Sequence, residues 1–131
     1  MNLSMKRTFL SEQAKEFRSK YEIKDSPGRM DRARQKNLIV EDFKEFLEAD
    51  GFMFKHGQNV QEECLKELAD LVYVCYQYAA NMNWFLDEAL NRVHESNMSK
   101  LGEDGKPIYR EKDGKVLKGP NYKPPNLSDL V

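Results

Sequence analysis

Residues 38–50 read LIVEDFKEFLEAD, and their apolar side chains recur at helical rather than strand spacing. Projected at about 100° per residue from Leu38, the side chains of Ile39, Phe43, Phe46 and Leu47 fall at about 100, 140, 80 and 180°, which predicts a buried arc half a turn wide. Asp42 falls at about 40°, inside that arc, and Glu45 at about 340°, on its border; Glu41 and Glu48 fall outside it, at about 300 and 280°. Two acids therefore point inward from a segment that otherwise reads as a core helix.

A second helix, predicted over 60–82, contains LVYVCY at 71–76, apolar on every side as in a helix packed all round. Glu67 and Asp70 stand at the entrance to this run. Measured from Leu65 they project at about 200 and 140°, and Val74 continues their stripe at about 180°. Each of two helices thus offers an i, i+3 carboxylate pair. An unpaired buried carboxylate is strongly unfavourable, and four close together repel one another. A cation resolves this, and magnesium fits, because it takes oxygen ligands and keeps positions for water or phosphate. The competing reading is a solvated acidic face, for which Glu-x-x-Glu spacing is common.

Outward from this pair, residues 9–23 form a short amphipathic helix built on Phe9, Gln13, Phe17 and Tyr21, ending near Lys24–Gly28. The helix carrying Asp42 is predicted to begin near Met30 and stop at Gly51, a suitable residue just past a helix end, with FMFKHGQN (52–59) irregular. A last helix is expected over 85–101, after Asn81 and Asn83 interrupt the preceding pattern. From Gly102 onward glycine and proline punctuate the sequence, and Asp113-Gly114 between IYRE and KVL is a hairpin signal. The expected fold class is all-α: an antiparallel helical bundle over 1–102, with an irregular or hairpin C-terminal extension over 103–131 that packs on the domain or on a neighbouring subunit.

At 131 residues and 40% apolar content, one modest core is expected, and association with further copies is an economical way to cover helical faces. Twenty-one basic against 22 acidic residues give a net charge of -1, so there is no basic field for a nucleic-acid backbone. The balance is uneven locally: RMDRARQK at 29–36 is basic and 41–50 is acidic, a combination a small phosphorylated ligand could use. Cys64 and Cys75 lie about 16 Å apart along one helix axis and cannot pair there; they read as reduced thiols of a cytoplasmic protein. No leader-like apolar segment opens the sequence and no apolar run is long enough for a membrane.

Other chemistries find no motif. Zinc spacings, a P-loop, a G-x-S-x-G elbow and C-x-x-C are absent. Glu-x-x-His of di-iron bundles is missing too, since Asn91 stands three residues before His94. His94 reads as a surface or interface histidine.

The two acidic motifs, Glu41-Asp42-Phe43-Lys44-Glu45 and Glu67-Leu68-Ala69-Asp70, resemble the E-E-x-x-E and E-x-x-D signature of the all-α nucleotide pyrophosphohydrolases, which include MazG, the phosphoribosyl-ATP pyrophosphohydrolases and the dimeric dUTPases. The resemblance covers roughly residues 8 to 125. It extends through HESNMSKLGEDGKPIYREKDGKVLKGPNYKPP (94–125), similar to a MazG-like subgroup. One departure stands out: Asp42, one methylene shorter, replaces the usual glutamate.

The resemblance implies that Asp42, Glu45, Glu67 and Asp70 hold magnesium, with manganese as a substitute. It implies attack of a metal-activated water on the α-phosphorus of a (d)NTP, releasing (d)NMP and pyrophosphate. The proton acceptor is to be sought among Glu45, Glu48 and Glu67. Asn97 and Lys100, in NMSKL, correspond to a polar pair near the substrate, and Lys100, with Lys123 as a further candidate, would stabilise the leaving pyrophosphate. Arg34 and Arg32 are either phosphate contacts or a solvated face; Tyr73, Tyr76 and Trp84 either stack on a base or belong to the core. The family implies a homodimer or homotetramer with its active site near the subunit interface. Two alternatives stay open: phosphoribosyl-ATP as substrate, and a non-catalytic nucleotide-binding regulatory module.

Overall fold

The computed structural model describes residues 9–56 and 61–131. Among the described residues four helices occur in order: α1 (Leu10–Lys20), α2 (Arg29–His56), α3 (Gln61–Asn81) and α4 (Leu86–Met98), followed by a short 3-10 turn at Ser128–Leu130. No strand forms among the described residues, only one isolated antiparallel bridge between Tyr109 and Val116, so the expected all-α class holds. The chain divides into two compact units, Met1–Trp84 and Phe85–Val131. No described helix is long and apolar enough to cross a membrane.

Helix α2 does not stop at Gly51. It runs on to His56, so the predicted irregular segment is helical as far as that residue, and 57–59 lie outside the described residues. Glycine in a helix interior is unfavourable by roughly 1 kcal/mol, but packing outweighs this. The half-buried side chains Ile39, Asp42, Phe46, Ala49 and Met53, preceded by buried Gln35, repeat in steps of four and three, the period of a helix packed lengthwise on another. Met53 carries this seam past the glycine. On α3 the matching seam is Cys64, Glu67, Leu71, Val74, Tyr78 and Asn81, all buried or half-buried. The α2–α3 pair is the most extensive helix contact in the molecule. With only a few residues between their ends, the two helices are antiparallel.

The seam is narrower than the arc predicted from apolar content. Leu38, Phe43 and Leu47 are 38, 48 and 50% exposed, because α2 packs chiefly on one neighbour and buries only the sector from about 20 to 100°. Val40, Phe43, Leu47 and Phe54 form a second, exposed stripe on α2, and Leu65, Leu68 and Val72 form one on α3. Nor is the 71–76 run packed on every side, since Val72 and Tyr73 are exposed. On both helices the exposed stripe is rotated about 110° from the seam in the same sense. In an antiparallel pair this puts the two stripes on one flank. Glu45, Glu48, Glu63 and Asp70 are rotated the opposite way and occupy the other flank.

Helix α1 packs on α3, with the Phe17 ring meeting Tyr73 edge-on at 5.6 Å. Behind this contact Arg18, only 3% exposed, donates from Nε to Asp25 Oδ1 (2.6 Å) and from Nη1 to Gln77 Oε1 (3.3 Å). Its Nη2 reaches the Lys24 carbonyl (3.2 Å) and Asn81 Oδ1 (3.0 Å). Asn81 in turn donates to the Ser26 carbonyl at 2.6 Å and accepts from the Ser26 amide at 3.0 Å. One buried guanidinium and one buried amide thus fix the α1–α2 connection to the end of α3.

In the second unit, Arg92 of α4 grips the C-terminal segment: Nη1 donates to Asp129 Oδ1 (2.5 Å) and the Asn126 carbonyl (3.0 Å), and Nη2 to Asp129 Oδ2 (3.0 Å). Hydrogen bonding to Arg92 holds the Asp129 carboxyl below its ordinary value. The Gly119 amide donates to the Lys100 carbonyl at 2.8 Å, so close that a Cβ there would lie 2.3 Å from the Leu101 oxygen. The predicted hairpin signal is a turn with Gly114 at φ 73°, closed by the Arg110 amide on the Lys115 carbonyl at 2.8 Å.

Candidate active site

The seam places Asp42 of α2 beside the acids of α3 because position 42 falls one turn before Phe46 on the same inward stripe. Asp42 is half-buried, Glu67 is 9% exposed, and Glu45 and Asp70 are half-buried at the seam's edge. One turn further along α2, Glu45, Glu48, Ala49 and Phe52 line a cavity of about 330 Å³ together with Glu63 and Glu67 of α3. The cavity therefore gathers all three carboxylates that the sequence singled out as proton acceptors. It also adds Glu63, which the sequence reading did not weigh. The signal was present, since Glu63 lies four residues before Glu67 and so on the same helix face.

These acids feel one another across the helix pair. Withdrawal from water pushes the Asp42 carboxyl above its ordinary value, reinforced by the charges of Asp70, Glu41 and Glu67, while a hydrogen bond with Glu45 pulls the other way. The Glu45 carboxyl is raised by partial desolvation, by the charges of Asp42, Glu67 and Glu41, and by the shared hydrogen bond with Asp42. On α3, Lys66 Nζ lies 3.3 Å from Glu67 Oε1 and 3.1 Å from Asp70 Oδ2. The second Glu67 oxygen is buried and has no hydrogen-bond partner.

A buried carboxylate oxygen without a partner, in a donor set composed of carboxylates, fits a hard divalent cation such as magnesium. Thiolate ligation is not favoured here: burial, with the charge of Asp42, pushes the Cys75 thiol up, and both cysteines are unpaired. Among the described residues, however, no three acidic, thiol or imidazole groups stand close enough together to hold an ion. Glu45 and Glu67 line one cavity, while on α3 Lys66 holds one oxygen of Glu67 and one of Asp70. Coordination therefore requires side-chain rotation.

The other predicted site residues are divided between the two units. Arg34 is exposed on the first turns of α2, paired with Asp31 at 3.2 Å, and lies about 12 Å along the helix from Asp42. Tyr73 faces α1, where it meets Phe17 and lines an apolar groove with Leu10, Ala14, Leu65 and Val72; burial raises its hydroxyl. Tyr76 is buried, and Trp84 packs on Tyr78 at 5.8 Å. Asn97 and Lys100 belong to the second unit, Asn97 exposed on α4 and the Lys100 amide bonded to its carbonyl at 3.2 Å. There the Lys123 amide donates to Ser99 Oγ at 2.9 Å. His94 is exposed on α4.

Residues 4–97 match the profile of the phosphoribosyl-ATP pyrophosphohydrolase family, a span that takes in both carboxylate-bearing helices and ends at Asn97. No curated protein matches the chain.

Proposed function

The chain belongs to the phosphoribosyl-ATP pyrophosphohydrolase family and is thereby a pyrophosphohydrolase, and we propose that it cleaves the α–β anhydride of a (d)NTP with magnesium as cofactor. The observation that carries this reading is the buried, unpartnered Glu67 oxygen on a cavity wall shared with three further glutamates. Manganese, of similar ligand preference, is the expected substitute.

Asp42, Glu45, Glu67 and Asp70 would hold the cation. When bound, it would neutralise phosphate oxygens and acidify a water. The carboxylates of this chain then divide the remaining work. Of Glu45, Glu48 and Glu67, Glu48 lines the cavity from outside the seam and is not needed as a ligand, so on this reading it would accept the proton of the attacking water as the water oxygen bonds to the α-phosphorus and the bridging oxygen departs with pyrophosphate. The concentration of negative charge also excludes a bare triphosphate, so substrate enters with its counter-ion.

Phosphoribosyl-ATP itself is the second reading, favoured by the family profile matched. The same bond breaks in both, so pyrophosphate release from phosphoribosyl-ATP and from a panel of canonical and modified (d)NTPs, with magnesium and with EDTA, decides between them. Release from one class at least about ten-fold above the other identifies the substrate, and release from neither with magnesium present defeats the proposal. Asn97→Ala and Lys100→Ala in the same assay test the substrate contacts that the resemblance implies.

Self-association is part of this reading. Val40, Phe43, Leu47 and Phe54 with Leu65, Leu68 and Val72 make one exposed apolar flank of the α2–α3 pair, the kind of contiguous patch that marks an association surface. A second copy covers it most simply, helix pair on helix pair, leaving the acidic flank open. The expected mass by light scattering is that of a dimer or tetramer, and Phe43→Lys with Leu68→Lys should yield monomer. A wild-type mass equal to one chain overturns this point.

A further inference from the structure

One ammonium stands against both acids of α3. Lys66 is exposed along most of its length, yet its ammonium lies within 3.3 Å of Glu67 and 3.1 Å of Asp70, the two acids of α3. Only one of the Glu67 oxygens is engaged; the other is buried and has no hydrogen-bond partner. On α2, Asp42 and Glu45 share a hydrogen bond with each other. The contacts these acids make are thus within each helix, one Glu67 oxygen being left over, and among the described residues no three of them stand together around one point.

We propose that Lys66 is a positioning residue that occupies the cation's place between Glu67 and Asp70 when the site is empty, and is displaced when a divalent ion binds. The inference rests on the reading of Glu67 and Asp70 as ligands. Its physical content is a competition. A carboxylate oxygen held by an ammonium at 3.1–3.3 Å has to release it before turning to an ion, and the released ammonium then stands next to a divalent charge of its own sign. Both effects weaken binding. In the empty protein the same ammonium offsets the repulsion between the α3 acids and those of α2. Lys66 therefore sets the cation concentration at which the site fills, and prevents the empty site from opening through charge repulsion. Spacing supports a local origin for this device. Lys66 and Asp70 are an i, i+4 pair, so the two side chains stay within reach of one another as long as α3 is helical.

The test is a titration of full-length protein with Mn2+, followed by electron paramagnetic resonance of the free ion, on wild type, Lys66→Met, Lys66→Arg and Glu67→Gln. Lys66→Met should bind about thirty-fold more tightly, the scale of one unit charge acting on a divalent ion about 4 Å away through water. Lys66→Arg should stay near wild type. Melting in EDTA supplies a second readout: Lys66→Met should melt below wild type without metal and gain more on adding it. Unchanged or weaker Mn2+ binding by Lys66→Met overturns the proposal while leaving the ligand assignment intact, provided Glu67→Gln loses binding. Wild-type binding by Glu67→Gln removes the ligand assignment, and this proposal with it.

Discussion

Glu67→Gln should lower pyrophosphate release by about 10²- to 10³-fold, the range seen when one charge-stabilising group is removed from a preorganised site, without loosening the fold. The substitution keeps the shape of the side chain and removes only its charge. Glu67 is the most buried of the four proposed ligands, and its charge helps raise both Asp42 and Glu45. Removing that charge relieves repulsion in the cation-free protein, so the variant should melt at or above wild type in EDTA. It should also lack the rise in melting temperature expected of wild type on adding magnesium, a rise worth about 2.7 kcal/mol when the ion is at a hundred times its dissociation constant. A catalytic role predicts this split between activity and stability; a purely structural role predicts loss of both. Full turnover in Glu67→Gln would remove the site from α3.

The largest effect on stability is expected 14 residues along α3. Asn81→Ala should destabilise the first unit by about 2–4 kcal/mol, because a fully buried amide that makes three hydrogen bonds is lost and a buried guanidinium loses a partner. Asn81 is 2% exposed and is bonded to Arg18 and to both backbone groups of Ser26. Arg34→Ala, which removes an exposed pair with Asp31, should cost less than about 1 kcal/mol and serves as the control. Urea denaturation checks both, with an unchanged slope showing that the native and denatured ensembles keep their compactness. A loss below about 1 kcal/mol for Asn81→Ala would mean that water replaces the amide in this network.

The difference between these two residues shows what was legible in the sequence. The acids of α2 and α3 were readable because their partners lie three residues away on the same helix, and a helical projection converts that spacing into a shared face. Asn81 read only as an interruption, since its partner Arg18 is 63 residues distant and no local pattern announces it. The width of the core was over-read for a related reason. A projection assigns every apolar side chain to the inside, while α2 has enough of them for two stripes, of which its one long neighbour covers the first. Gly51 was read as a stop by local preference and was overridden by Met53, whose place in the seam becomes visible only when the register with α3 is known. The turn at Gly114 was legible because its backbone requirement is met by one residue.

The α2–α3 pair carries Glu45, Glu48, Glu63 and Asp70 on one flank and the stripe of Val40, Phe43, Leu47, Leu65, Leu68 and Val72 on the other, roughly opposite sides of the same two helices. Mutation can therefore act on the two flanks almost independently. On the proposed reading a substitution at Phe43 or Leu68 would change how many copies assemble and at what concentration, and one at Glu45 would change chemistry, with few positions answerable to both. In a lineage built on this pair, subunit number is free to drift while the reaction is held by purifying selection. The seam between the flanks, where Asp42 alternates with Ile39 and Phe46, is the one strip on which a single codon serves packing and charge together, and substitutions there should be the slowest to accumulate.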